Sequence, residues 1–166
     1  MESLRRIAPG AYFVAALLFL ITMVDYLGNA WPFRPGEVDW RYGVTGMVST
    51  YLLSPLLGCV IASATAAWLP QPRVSRLLGV IMWVGALLLL GALAAFVLDS
   101  LQVRSAAAPE ARWVTTTSFL LASAKIFLAA VGLIILGRGN LRAAAAANES
   151  VGPRKREATR PIVGQP

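Results

Sequence analysis

The sequence predicts an all-α integral membrane protein: a four-helix bundle with both termini on the cytoplasmic side and a disordered basic tail. Three observations predict it. Of the 166 residues, 57% are hydrophobic and 14% charged, and mean hydropathy is +0.66; soluble domains carry about 25% charged and about 45–50% apolar residues. Four apolar runs are long enough to cross a hydrocarbon core of ~30 Å at ~1.5 Å of helix rise per residue. Lysine and arginine are shared unequally between the segments that join the runs.

The first run covers about 10–30 and contains AYFVAALLFLITMV; the others cover about 44–69, 77–99 and 113–137. Apolar residues occupy every side of each run, as expected of a helix among lipid and other helices. A spanning barrel would instead show alternating segments of about ten residues. Residues 1–148 therefore form the transmembrane domain. Between the first two runs, Pro32, Pro35 and Gly36 break the helix. Pro70-Gln71-Pro72 makes a very short turn, so the second and third spans are antiparallel neighbours. The third connection, about 100–112, contains Pro109. Asn140 to Asn148 is alanine-rich and extends the fourth helix into water. Residues 149–166 mix Pro, Gly and charge with little apolar surface and read as a flexible cytoplasmic tail.

Orientation follows from the cations. Arg5, Arg6, Arg73, Arg76, Arg138, Arg142, Arg154, Lys155, Arg156 and Arg160 fall on one side; Arg34, Arg41, Arg104 and Arg112 fall on the other. Ten against four places both termini in the cytoplasm. The net charge of +7 is then a property of the cytoplasmic face, where it attracts anionic lipid headgroups. No aromatic interleaving accompanies it, so nucleic acid is not an expected partner. A cleaved signal peptide is the rival reading of the first run, with Arg5 and Arg6 before an apolar stretch from Ala11 to Val24 and small residues at Gly28-Asn29-Ala30.

The absence of histidine excludes His-ligated haem, Cys/His zinc sites and a Ser-His-Asp triad, and a single cysteine excludes an intrachain disulfide. Walker, Rossmann, HExxH and GxSxG patterns are missing. No catalytic residue, cofactor or metal is expected. Cys59 reads as a small apolar residue.

Lys125 lies midway along the fourth run. A lysine at that depth costs roughly 2.5–3.5 kcal/mol and should find a partner inside the bundle. Asp25, inside the end of the first span, is the expected partner, because a lysine side chain reaches about a turn toward the interface. Asp99 is the second acidic candidate, or sits at the interface with Arg104. A Lys125–Asp25 pair would be a proton or ion relay, or a structural pair fixing helix register. Thr115, Thr116, Thr117, Ser118 and Ser123 could line a polar path or bond their own helix carbonyls.

Ser54, Gly58, Ala62 and Ala66 form a small-residue stripe that admits close approach of another helix, within the chain or at a homodimer or partner-subunit seam. Pro55 should kink the second span, with Thr50 or Ser54 bonding the freed carbonyl. Gly79, Gly85 and Gly91 drift around the third helix and make a weaker seam.

Residues 31–43 are dense in aromatic rings, proline and arginine. One reading is an interfacial anchor, with Arg41 pairing Asp39, Glu37 or a phosphate. The other is a docking surface for a periplasmic or membrane protein, built from Trp31, Phe33, Trp40, Arg41 and Tyr42, with Trp40 and Arg41 as its anchors.

Asp25, Trp31-Pro32, Trp40-Arg41, Gly46 and Pro55-Leu56-Leu57-Gly58 together resemble the start of HpsJ-like small multi-pass membrane proteins of bacteria. That pattern is an acidic residue, a proline-bearing loop, a Trp followed by Arg or Gln, and a Pro-Leu-Leu-Gly-type element in the second span. It covers about residues 25–60. The chain departs from the group in lacking a long polar, coiled-coil-like C-terminal region. Those proteins are associated with extracellular polysaccharide or exosortase-linked systems as accessory components, and the resemblance implies an accessory role near the envelope.

The leading expectation is a non-enzymatic accessory or structural membrane protein. A small transporter or ion-coupled subunit using Lys125 and Asp25 is the alternative, and an enzyme acting on lipid through Asp39, Arg41 and Asp99 comes third. The four-span reading is checked by the intact mass of the membrane-extracted protein. A chain retaining residues 1–30 is expected; one beginning at Trp31 overturns the four-span scheme.

Overall fold

The computed structural model describes residues 2–69, 71–106, 108, 110 and 112–158, with side chains described between 6 and 148. Five helices and no strand occur among the described residues: α1 (Glu2–Ala30), α2 (Val38–Tyr51), α3 (Leu53–Trp68), α4 (Pro72–Ala106) and α5 (Arg112–Ala158). Helices α1, α4 and α5 are long and apolar enough to cross a membrane. The pair α2–α3 passes the same test jointly and bends by 43° at its break.

The bend has a local cause. Pro55 has no N–H to give the carbonyl four residues earlier, at Tyr51, and its ring crowds that carbonyl. The regular ladder resumes with Leu56 N–H donating to Leu52 O at 3.1 Å. Neither Thr50 nor Ser54 takes up the freed group.

Several boundaries differ from expectation. The second helix starts at Val38 rather than 44, so Trp40, Arg41 and Tyr42 are helical, not loop. The loop is only residues 31–37, because Gly36 is its last helix breaker. Helices α4 and α5, of 35 and 47 residues, reach ~52 Å and ~70 Å at ~1.5 Å per residue. Backbone expected to be a flexible tail from residue 149 continues as helix to Ala158, in line with the helix propensity of Arg154, Lys155, Arg156 and Glu157. Residues 159–166 lie outside the described residues.

Helices α4 and α5 form the spine. Gly79 lies opposite Gly137 and Phe96 opposite Phe119, so the two run antiparallel. A Cβ on Gly79 would meet Leu141 Cγ at 2.7 Å and Gly137 O at 3.1 Å; one on Gly137 would meet Gly79 O at 3.2 Å. These glycines bring the backbones together. Gly85 is looser and Gly91 faces open space. Met82, Ala86 and Leu133 make the buried core, with Leu56 and Cys59 of α3 against it. Asn140 is buried here rather than in water. Its Nδ2 donates to Ser63 Oγ at 2.9 Å and Leu136 O at 3.0 Å, joining α3 to α5.

The α2–α3 pair lies across both spine helices, and α1 packs on the far side of that pair. Gly58, Ala62 and Ala66 are buried on one face of α3, and a Cβ on Gly58 would come 2.9 Å from Ala15 O. Tyr12 Oη donates to Gln71 Oε1 at 3.0 Å near the turn between α3 and α4. No contact joins α1 to α4 or α5 among the described residues.

Gly58→Ala is expected to destabilise the fold by roughly 1–3 kcal/mol, since its methyl meets backbone that cannot rotate away. Gly91→Ala should cause no loss. Heat or detergent titration of the solubilised protein, followed by helical circular dichroism, makes the comparison.

Candidate functional site

At the end of the molecule carrying the 31–37 loop, Arg41 and Asp99 form a two-point ion pair. Arg41 Nη2 lies 2.9 Å from Asp99 Oδ1 and Nε 3.2 Å from Oδ2. The fork geometry matches a carboxylate at both nitrogens. Asp99 is buried, while the Arg41 side chain is 37% exposed. The remaining Nη1 donates to Pro35 O at 3.0 Å. One guanidinium thus fastens α2 to α4 and to the loop.

This corrects two expectations. Arg41 pairs with neither Asp39 nor Glu37; Glu37 instead faces Arg34 at 3.6 Å in an exposed pair. Asp99 does not sit with Arg104 in solvent. Both corrections follow from the helical start at Val38, which turns Arg41 toward α4. Asp39 stays exposed on the same first turn.

Tyr42 also turns inward. Its ring stacks on Phe96 at 4.9 Å, and Phe96 meets Phe119 at 5.3 Å, so three helices share one aromatic column. The Tyr42 hydroxyl donates to Thr115 O at 3.5 Å. Beside the column, Tyr42, Ser100, Arg104, Thr115, Thr116 and Phe119 line a cavity of about 100 Å³.

The loop carries an ordered aromatic surface. Trp31 meets Phe33 edge-on at 5.4 Å, and Phe33 meets Trp40 at 6.1 Å. Trp40 Nε1 donates to Ala30 O at 3.1 Å and is half-buried. The exposed rings are Trp31, at 71%, and Phe33, at 51%. Trp40 and Arg41, expected to be the anchors of a docking surface, brace it from behind.

Lys125 and Asp25 are not brought together. Among the described residues no ion pair joins them, and both are exposed. The reason is the helix order: α1 reaches only α2 and α3, so its aspartate cannot meet a side chain of α5. Lys125 instead lines two neighbouring hollows of about 430 and 250 Å³, which share Ser49 and Lys125 and lie between α2–α3 and α5. Asp25 offers its backbone carbonyl to Asn29 Nδ2 at 2.8 Å, and that amide also donates to Tyr51 Oη at 2.9 Å.

No protein-family model, curated protein or solved structure matches the chain.

Of the α5 hydroxyls, Thr115 and Thr116 line the 100 Å³ cavity and Ser118 the 250 Å³ hollow beside Lys125. Thr116 and Thr117 donate to Arg112 O and Trp113 O of their own helix, and Ser123 Oγ is buried without a hydrogen-bond partner. No group of three His, Cys, Asp or Glu residues able to hold a metal occurs among the described residues. The arrangement can brace and present a surface, and among the described residues Arg41 and Asp99 are committed to each other.

Sequence reasoning missed the Arg41–Asp99 pair, the Phe96 column and Asn140. The usable signal was Asp99 itself, an acid at the end of an apolar run that demands a cation. Arg41→Met is expected to destabilise the fold clearly more than Asp99→Asn, because it orphans a buried carboxylate. Asp99→Asn should cost only about 1 kcal/mol, because the freed guanidinium reaches water. Unfolding of the two variants in the same detergent tests the inequality.

Proposed function

We propose that the chain is a non-enzymatic accessory protein of a bacterial cytoplasmic membrane, engaging an envelope-side protein through the Trp31–Phe33 surface. The broken pair α2–α3 is read as one span, so the chain crosses four times. The cation count then sets the 31–37 loop outside and both termini inside. Exposed Arg73, Arg76, Arg138 and Arg142 gather at the inner end, where anionic headgroups lie.

The observation that carries this reading is the bracing of exposed rings. An aromatic residue that merely floats at the headgroup level needs no fixed geometry. Here Trp31 and Phe33 are held by Trp40, which bonds Ala30 O, and by Arg41, which bonds Pro35 O. Holding a large ring still before contact reduces the entropy lost on binding. Trp is also the residue type most enriched at interface hot spots. The resemblance to HpsJ-like proteins points to the same accessory role.

The two rival readings lose their main supports. An ion relay through Lys125 and Asp25 would need both groups on one path, and they stand on helices that do not touch. Lipid chemistry through Asp39, Arg41 and Asp99 would need the three groups to converge on a substrate, but Arg41 and Asp99 are spent on each other, which leaves Asp39 exposed by itself.

Purification from native membranes in mild detergent tests the reading. A stoichiometric partner is expected to co-elute and to be lost with Trp31→Ala/Phe33→Ala, while the variant keeps its expression and melting temperature. Absence of a partner, or retention by the double variant, would sink the proposal.

A further inference from the structure

Two opposite charges stand inside the apolar segments with no ion-pair partner among the described residues. Lys125 is exposed on α5 and Asp25 is exposed on α1. Each is costly to leave in hydrocarbon, and such residues ordinarily pair or reach water. Asp99, by contrast, is answered within the chain by Arg41.

The two orphans lie in one layer of the molecule. Tyr26, next to Asp25, packs its ring against Tyr51 at 6.3 Å, and Asn29, one turn along, bonds the Tyr51 hydroxyl. Lys125 lines its hollow together with Ser49, Thr50, Leu52 and Leu53. Both charges are thus level with the last turn of α2 and the bend that follows, on helices that do not touch each other.

The hollow around Lys125 sets one cationic group among mostly apolar walls. Leu53 and Leu128 are exposed at its edge. The Ser49 hydroxyl is committed to Gly46 O at 2.7 Å, leaving the ammonium as its charged group. The exposed surface beside Asp25 carries Ile21 and Val24, which suit such walls.

We infer that two copies of this chain associate in the membrane, with Asp25 on α1 of one copy entering the α2–α5 hollow of the other and pairing with Lys125. Equal depth is what makes the pairing possible: parallel copies in one bilayer hold the two charges at the same level. With both sites presented on one flank of the molecule, a two-fold axis along the membrane normal would form the pair twice and leave neither copy an orphan. The surface is separate from the Trp31–Phe33 platform, and the inference does not depend on the proposed function.

Charge reversal tests it on the full-length protein in proteoliposomes, with association read by energy transfer between differently labelled copies and helix content by circular dichroism. The wild type is expected to associate. D25K places lysine against lysine and K125E glutamate against aspartate, so each alone should weaken association at least tenfold without loss of helix content. Co-reconstituting D25K with K125E should restore it, because every cross-copy pair is again of opposite sign. An intramolecular pair could not be rescued by mixing two chains. Three results would overturn the inference: a monomeric wild type, association unaffected by K125E, or no rescue on mixing. The last would assign Lys125 to a lipid or to another protein.

Discussion

Helices surrounded by hydrocarbon gain little from the hydrophobic effect when they meet, because lipid tails are as apolar as leucine. Close backbone approach must then supply much of the attraction, through dispersion over a large contact. In this chain it is supplied at two crossings, Gly79 on Gly137 and Gly58 on Ala15. The first makes α4 and α5 one rigid antiparallel spine. The second ties α1 to α3, and through it to that spine. With the spine in place, Phe96 can receive Tyr42 and Phe119 on its two sides, and Asp99 is brought level with Arg41. The braced loop is therefore a distant consequence of glycines at the opposite end of the same helices.

Polar side chains inside the assembly divide by what satisfies them. Asn140 is satisfied by Ser63 and Leu136, Thr22 by Leu18 O, and Asp99 by Arg41. Each of these residues is buried, as an interior that excludes water requires. Lys125 and Asp25 are exposed instead. A flexible lysine can lie along an apolar wall toward the interface, but an aspartate has no such reach. The imbalance makes α1 the helix with most to gain from a neighbour.

The helical character of the chain was legible because it needs only composition and length: apolar runs of this size with no alternation can satisfy their backbone in lipid in one way. Pro55 announced its bend, and Gly58, Ala62 and Ala66 marked a face that is in fact buried. What a sequence cannot carry by spacing is which helix stands beside which. Depth along a span can be counted residue by residue, and counting put Lys125 and Asp25 within reach of each other; the lateral order of helices then kept them apart. The same blindness hid Arg41–Asp99, partners fifty-eight positions apart. Asn140 misled differently. Its alanine-rich surroundings look like a solvated extension, yet α5 is still packed on α4 and α3 at that point.

The bend in α2–α3 connects these themes. A straight helix from Val38 to Trp68 would carry one set of neighbours along its whole length. Breaking it at Leu52 lets the upper half turn Arg41 and Tyr42 toward α4 and α5 while the lower half turns Gly58 toward α1 and Ser63 toward α4 and α5. Where the axis changes direction, side chains of α2, α3 and α5 cannot all close on one another, and the space left over is the hollow beside Lys125. The bend and the hollow beside it then share one origin, the missing amide hydrogen of Pro55, while Arg41 owes its inward turn to the helical start at Val38. A residue restoring that hydrogen would straighten the path and narrow the hollow, leaving the Trp40 and Arg41 contacts that brace the loop untouched.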